Sequence, residues 1–258
     1  MILRDIIHSI ESVAPLSYQE AWDNSGMQVG DPGMDIEAVL LTTDITESVV
    51  DEAIMLGCQL IISHHPLLFH GLKQVCGQTP QARCVERAIR HNIAIYSSHT
   101  AMDSYLHGVS GRIAERIGLT DYHILVPSGE GYGLGVIGDL PAPIPAEDLL
   151  RRIRERMEAP WIRYAEGIKP MIQRIAICGG AGAEFAEAAI AQGADAYLTA
   201  DCKYHEFQDA YHRIWLIDMD HWTSEHFTRD IFRELLTPLG VTCHISQADA
   251  TPIKLINS

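Results

Sequence analysis

Histidine and carboxylate side chains follow three apolar segments of this chain, where predicted β-strands end. They are His64, His65, His99, Asp103, His221 and Glu225, and the segments that precede them are 60–63, 93–96 and 214–217. Ligands of open α/β sheets collect beyond the carboxyl ends of the strands. Imidazole and carboxylate groups together are suitable ligands for several divalent transition metals. The sequence therefore predicts one shared metal site.

His64 and His65 are adjacent and come directly before Pro66. In an extended chain their side chains point to opposite faces, whereas a turn could bring them together or direct them to different metal ions. Pro66 disfavours the α region at His65 and so limits the freedom of this segment. The alternative is a pair of surface or packing residues, and the other strand ends favour metal binding.

His99 and Asp103 follow the next strand, and either side chain could reach a metal ion from there. A carboxylate such as Asp103 could bridge two ions or bind one of them. The alternative is that Asp103 is the N-cap of the following helix, since Asp is favoured at that position.

His221 and Glu225 are four residues apart at the start of a predicted helix, so both project from one face. This pairing is a common half of a Zn²⁺, Mn²⁺ or Fe²⁺ site. The alternative makes Thr223 or Ser224 the N-cap, with Glu225 in the first turn. His226 faces elsewhere and is predicted to be structural.

Two further segments carry groups that could contact a substrate. Residues 178–184 form a glycine-rich turn whose amides could hold an anion, although the segment lacks a full dinucleotide-binding or P-loop pattern. A tight turn is the simpler interpretation. Lys203 and His205 follow the predicted strand 196–199 and are candidates for contact with substrate, with a surface turn as the alternative.

Composition narrows the class of protein. The 258 residues are 47% hydrophobic and 21% charged, as in an ordinary globular protein, and no apolar run approaches the roughly 20 residues that cross a bilayer. The formal net charge of −15 argues against sequence-independent binding to nucleic acid. Six scattered cysteines form no C-x-x-C pair, which makes a thiolate zinc site or a disulfide framework unexpected. The start of the chain does not resemble a signal peptide, and a cytoplasmic location is expected.

Helical and strand-like patterns alternate along both halves of the chain, which predicts an α/β fold with mixed sheets flanked by helices. Residues 131–138 are rich in glycine, and residues 140–145 are rich in proline and predict a turn-filled connection. We therefore predict two domains, 1–125 and 126–258. In an alternative arrangement, the C-terminal part of the second domain packs back on the first. A single helix is predicted over 223–237.

Taken together, these segments resemble the YbgI or Nif-three-like family, whose members carry the name GTP cyclohydrolase 1 type 2 homologue. The resemblance spans nearly the whole chain, and its segments are 21–26, 63–66, 99–103, 179–182, 195–205 and 221–225. It implies two α/β domains of related topology and a ring-shaped homohexamer. It also implies a dinuclear metal centre in the cleft between the domains, with His64, His65, Asp103, His221 and Glu225 as ligands.

The leading hypothesis is a hydrolase with two divalent metal ions per subunit (Zn, Mn, Fe or Ni) that acts on a nucleotide or a related small phosphorylated molecule. The ions would activate water for attack on a ring carbon, as in a GTP cyclohydrolase, or on phosphorus. His99, Lys203 and His205 are candidates for proton transfer or charge stabilisation. The alternative is a non-enzymatic, metal-binding hexameric scaffold or regulator. No membrane partner is expected.

Overall fold

A computed structural model describes residues 1–256 of the chain. The chain divides into two compact units. Unit 1 contains Met1–Met102 and the segment from Thr228 onwards, and unit 2 is Asp103–Phe227. The division therefore falls at residue 103 and again at 228, whereas the sequence predicts one boundary near 125. The C-terminal segment thus belongs to unit 1, as in the alternative domain arrangement given with the prediction.

Helices and strands alternate as the sequence predicts. The α-helices are α1 (Leu3–Glu11), α2 (Glu47–Leu56), α3 (Pro80–Arg90), α4 (Thr100–Asp103), α5 (Val109–Ile117), α6 (Ala146–Arg156), α7 (Ala186–Ala191), α8 (Tyr204–Ala210), α9 (His221–Glu225) and α10 (Thr228–Leu236). The strands are β1 (Gly26–Val29), β2 (Ala38–Thr42), β3 (Leu60–Ser63), β4 (Ala94–Ser97), β5 (Thr120–Gly129), β6 (Tyr132–Pro145), β7 (Ile162–Ala165), β8 (Met171–Ala181), β9 (Ala196–Ala200), β10 (Trp215–Met219) and β11 (Thr242–Ile245). Among residues 1–256, no helix is both long and apolar enough to cross a membrane.

Unit 1 contains a mixed sheet with the strand order β1-β4-β3-β2-β11. The strands β11, β2, β3 and β4 are parallel, and β1 is antiparallel to β4. The strands β3 and β4 are buried along their whole length, which explains their continuous apolar sequences. In this register Thr42 pairs with Ser63 and Ser63 with Ser97. The segments that follow β2, β3 and β4 therefore leave the sheet side by side.

Unit 2 contains a second mixed sheet, with the order β5-β6-β8-β9-β10-β7. Its centre is the parallel group β8, β9 and β10, flanked by antiparallel strands. Buried residues such as Tyr197 and Leu216 pack in a core cluster with Ala176 and Ala189. Both units thus have parallel central strands and an antiparallel edge, which confirms the predicted α/β class.

The predicted turn-filled connection over 140–145 is wrong, because these residues complete the long strand β6. The pairing of β6 with β8 has a register shift between Asp139 and Ile144, a stretch that contains Pro141 and Pro143. A bulge accommodates prolines because they cannot donate a ladder hydrogen bond. Gly133 has φ +156°, and a Cβ atom there would lie 2.2 Å from the Val126 carbonyl oxygen. Glycine therefore marks close backbone approach here, and not the end of a strand.

The predicted helix over 223–237 is two helices. The first, α9, begins at His221 because the Asp220 side chain caps it by accepting a hydrogen bond from the Thr223 N–H. The second, α10, begins at Thr228, where the chain returns to unit 1. Most of the predicted segment is therefore helical, but the break between the two helices is not apparent from the sequence.

Candidate metal centre

Three imidazole rings meet beyond the parallel strands of unit 1. They belong to His64 and His65 after β3 and to His99 after β4, and are called here the histidine cluster. Nitrogen atoms of the three rings lie within 4.8 Å of one another. The ring centroids are 4.8 Å apart for His64 and His65, and 5.2 Å from each of these to His99. The bend after Ser63 thus brings the two adjacent histidine side chains together, which is one of the two arrangements that a turn at this point allows.

Each ring of the histidine cluster is held through its Nδ1 atom. His65 Nδ1 is 2.9 Å from Asp44 Oδ1, and His99 Nδ1 is 2.9 Å from Asp23 Oδ1. His64 Nδ1 is 3.2 Å from the Ser98 carbonyl oxygen. Histidines that bind metals are usually oriented in this way by a carboxylate or carbonyl group, and the other ring nitrogen is then the ligand. In His64 and His65, the two predicted ligands of the cluster, Nε2 would then be the metal-binding atom.

Asp23 is a fully buried carboxylate beside His99. Besides His99 it accepts hydrogen bonds from the Thr100 hydroxyl at 2.6 Å and the Ser25 hydroxyl at 2.8 Å. Burial alone raises the pKa of Asp23, but the hydrogen bonds from His99, Thr100 and Ser25 outweigh it and hold the pKa well below its ordinary value. The side chain is therefore a permanent negative charge that orients His99. No pattern in the sequence indicates this role, because Asp23 and His99 are far apart along the chain.

In unit 2, His221 and Glu225 lie one turn apart on α9, as their spacing predicts. His221 Nε2 is 3.0 Å from Glu225 Oε2, and His221 Nδ1 is 2.7 Å from Asp201 Oδ2. Two donor atoms that bind one ion at about 2.1 Å and at right angles are separated by about 3 Å. The Nε2–Oε2 separation of 3.0 Å is thus that of two ligands of one ion, and it is equally that of a hydrogen-bonded ion pair between the two side chains.

Two carboxylates also govern the charge of His221. Burial by itself lowers its pKa, but Asp201 and Glu225 together raise the pKa to about 11. The alternative in which Thr223 or Ser224 caps this helix is wrong, since Asp220 is the N-cap. His226 lies 4.5 Å from Trp222 in a stacked arrangement, and its Nδ1 is 3.0 Å from the Thr223 carbonyl oxygen. Packing therefore accounts for His226.

Gly180 gives space to the His221–Glu225 pair. A Cβ atom at this position would lie 2.2 Å from Glu225 Oε1 and 3.6 Å from His221 Cε1, and φ is +66°. The Gly180 N–H donates to Ser224 Oγ at 2.8 Å, and the Gly179 N–H donates to Ser110 Oγ at 3.2 Å. These two amides therefore hold the α9 and α5 segments, and they are not directed at an anion.

Asp103 is the last residue of α4 and is half-buried. It is not the N-cap of α5, where Gly108 occupies that position, so this alternative is wrong. Burial raises the pKa of the Cys178 thiol, and the nearby charges of Asp103, Glu184 and Glu225 raise it further. Asp103 and Glu225 therefore both lie close enough to Cys178 to affect its ionisation.

Lys203 and His205 lie at the start of α8 and are exposed. The Lys203 N–H donates to Glu206 Oε2 at 2.5 Å, and the His205 ring contacts the Tyr204 ring with centroids 5.4 Å apart. These contacts are local to the helix, and the role of both residues in substrate chemistry stays a prediction. Asp201, two residues before Lys203, is the member of this segment that contacts a predicted ligand.

Comparison with known proteins places the chain in a family. Residues 1–252 match the family described as Duf34/NIF3 (NGG1p interacting factor 3). The chain belongs to this family. The match covers both units, so the predicted family resemblance is confirmed over nearly the whole sequence.

Individual members of the Duf34/NIF3 family agree with this assignment. A protein of Nostoc sp. named GTP cyclohydrolase 1 type 2 homolog is 36% identical over 246 residues, which is 93% of each chain. The solved structure of Staphylococcus aureus hypothetical protein SA1388 has a TM-score of 0.90 at 26% identity and covers 99% of both chains. The structure of protein ybgI, at 20% identity, has a TM-score of 0.81 over 95% of this chain and 98% of its own, and shows the shared fold.

Proposed function

We propose that the protein is a metal-dependent hydrolase that acts on a nucleotide or a related small phosphorylated molecule. This proposal depends on one observation, an oxygen atom beside the Nδ1 atom of every predicted histidine ligand. In His64, His65 and His221 the Nδ1 atom has an oxygen partner at 3.2 Å or less. An oxygen partner at Nδ1 is also present at His226, which packing explains. What favours metal binding is that the partners of His65 and His221 are carboxylates, which increase the metal affinity of a histidine ligand.

The donor set fits divalent transition metals. The proposed ligands are His64, His65, Asp103, His221 and Glu225, as the family resemblance implies. Three imidazoles and two carboxylates suit Zn, Mn, Fe or Ni, and five protein ligands do not saturate two ions unless some are shared. Open coordination positions favour catalysis over a purely structural role. That all five side chains serve one dinuclear centre stays a prediction.

The bound ions would supply Lewis acidity that activates water and neutralises negative charge on the substrate. His99 is the group best placed to move a proton, because the Asp23 carboxylate holds its ring beside the other two imidazoles. His205 and Lys203 are retained as candidates for proton transfer and charge stabilisation. Relatives named GTP cyclohydrolase 1 type 2 homolog make GTP the first substrate to test.

The experiment combines metal analysis with turnover. Protein purified without chelator is analysed for metal content, reconstituted with each candidate ion, and incubated with GTP and a panel of other nucleotides. For the cyclohydrolase reaction we expect release of formate and a pterin product, and loss of both in an Asp103→Ala variant. Absence of turnover above that variant with every nucleotide would contradict a hydrolase and favour the metal-binding scaffold.

We also propose that the chain assembles with itself into a homohexamer, as the resemblance implies. Light scattering on the purified protein measures the mass directly. A mass six times that of one chain supports the proposal, and a monomer at micromolar concentration contradicts it.

A further inference from the structure

The segment 22–25 contains one side chain that the metal site does not explain. Asp23 and Ser25 are bound to His99 and to each other, and the Asn24 amide donates to the Leu68 carbonyl oxygen at 2.5 Å. Trp22 in contrast is 63% exposed. A single exposed apolar side chain is ordinary, so Trp22 is informative only if further exposed apolar groups lie beside it.

Phe69 is a second exposed aromatic residue beside the same histidine, with 42% of its surface accessible. The Trp22 ring lies 5.7 Å from the His99 ring at an angle of 71°, and the Phe69 ring lies 5.5 Å from it at 88°. His99 also contacts both other members of the histidine cluster. Two exposed aromatic rings and two further imidazoles are thus grouped around the His99 side chain within unit 1.

Hydrogen bonds connect the segment that carries Trp22 to the residue that precedes Phe69. Besides the bond from Asn24 to Leu68, the Leu68 N–H donates to Gln28 Oε1 at 3.2 Å, and Gln28 Nε2 donates to the Asn24 carbonyl oxygen at 2.7 Å. The residue before Phe69 is therefore tied to the segment that carries Trp22. A backbone that is held in place before binding reduces the conformational entropy lost when a ligand binds.

We propose that Trp22 and Phe69 bind the planar heteroaromatic ring of the substrate next to the histidine cluster. A flat ring offers its faces to the exposed aromatic side chains, while its nitrogen and oxygen atoms can exchange hydrogen bonds with the imidazoles. A purine base has both properties, whereas an aliphatic phosphate ester lacks the first. This inference rests on the proposed function, because it names the substrate group that the same site binds.

The test measures binding and does not depend on turnover. Titration calorimetry compares guanosine 5′-monophosphate, adenosine 5′-monophosphate and ribose 5-phosphate, with and without added Zn²⁺, on the full chain and on the Trp22→Leu variant. Tyr204→Leu is the matched control, because Tyr204 is an aromatic residue that is 69% exposed on α8 of unit 2. Near-ultraviolet circular dichroism checks that each variant is folded.

We expect Trp22→Leu to weaken binding of at least one purine nucleotide by about tenfold or more, in the range of one aromatic–base stack. Binding of ribose 5-phosphate and the behaviour of Tyr204→Leu should not change. Equal affinity of Trp22→Leu and the original chain for both nucleotides, or no nucleotide binding at all, would overturn the inference. Metal content then still tests the metal site separately, and nucleotide binding without turnover would support the ring site while contradicting the hydrolase.

Discussion

At the residue scale, the candidate site depends on the acids behind the histidines as much as on the histidines themselves. Asp44 and Asp201 contact His65 and His221, and both carboxylates are accessible to solvent. Asp23 is fully buried. An acid at Nδ1 fixes the tautomer and the direction of the ring, and increases the basicity of Nε2.

Asp201→Asn should weaken metal binding by about 10–100-fold, because the amide cannot supply the negative charge that orients and polarises His221. A competition titration with a chromophoric chelator measures the affinity. Asp209→Asn is the control, since Asp209 is an exposed residue of α8. Equal affinities for the Asp201 variant and the control would show that Asp201 has no orienting role.

Gly180→Ala should remove the His221–Glu225 pair from its ligand geometry, since the new Cβ would lie 2.2 Å from Glu225 Oε1. Gly193→Ala is a matched control, because Gly193 has φ +78° and nothing within 4 Å of its Cβ position. Both variants bear the backbone cost of a positive φ, about 1–2 kcal/mol in the free energy of unfolding. Metal affinity should fall only in Gly180→Ala, and a similar fall in both variants would contradict the steric explanation.

At the element scale, buried carboxylates accept hydrogen bonds from the backbone of other elements. In unit 1, Glu52 of α2 accepts hydrogen bonds from the Ser246 hydroxyl and from the N–H groups of Gln247 and Ala248. In unit 2, Asp195 precedes β9 and accepts from the N–H groups of Gln173 and Arg174 in β8. Each acid satisfies backbone donors that would otherwise lose a partner on burial.

Asp195→Ala should lower the free energy of unfolding by about 2–4 kcal/mol, because it removes charge-assisted hydrogen bonds from two backbone amides and from Lys169. The Lys169 side chain is 65% exposed, so the two amides supply most of this effect. Urea unfolding at neutral pH measures the change, and Asp209→Ala is the control. A loss of about 0.5 kcal/mol or less, which is the size expected of an ordinary surface substitution, would contradict the role of Asp195.

The contribution of Asp195 to the free energy of unfolding should also depend on pH. Burial raises the pKa of Asp195, but Lys169 and the amides of Arg174 and Gln173 outweigh it, so the pKa in the folded protein lies below the ordinary value. The stabilisation is therefore complete above the unfolded pKa of about 4, and is lost as the pH falls through the lower folded value. The difference in stability between the original chain and Asp195→Ala should narrow below about pH 4.

At the scale of the whole molecule, metal binding should stabilise the folded chain. At a free metal concentration of 100 times Kd, the free energy of unfolding rises by about 2.7 kcal/mol for one site. Differential scanning fluorimetry should show Tm rising with Zn²⁺, and this rise should be much smaller in His65→Ala. His8→Ala is the control, since His8 is exposed on α1. A rise of equal size in both variants would point to metal binding elsewhere.

Much of the fold follows from local pattern. The buried strands β3, β4, β9 and β10 lie within one or two residues of their predicted positions, because apolar runs are properties of neighbouring residues. The strand β6 was missed because glycine and proline usually end strands, and only pairing with β5 and β8 makes this segment a strand. Local preference was overridden there by contacts distant in sequence.

For the candidate site, the amino-acid sequence alone determined the types of the ligands and their location at strand ends, since both depend on short segments. Tertiary structure decided which acid lies behind which histidine. Asp23 and His99 are 76 residues apart, Asp44 and His65 are 21 apart, and Asp201 and His221 are 20 apart. Such pairs form only when strand register and loop packing bring distant segments together, and no local pattern records which aspartate will be adjacent.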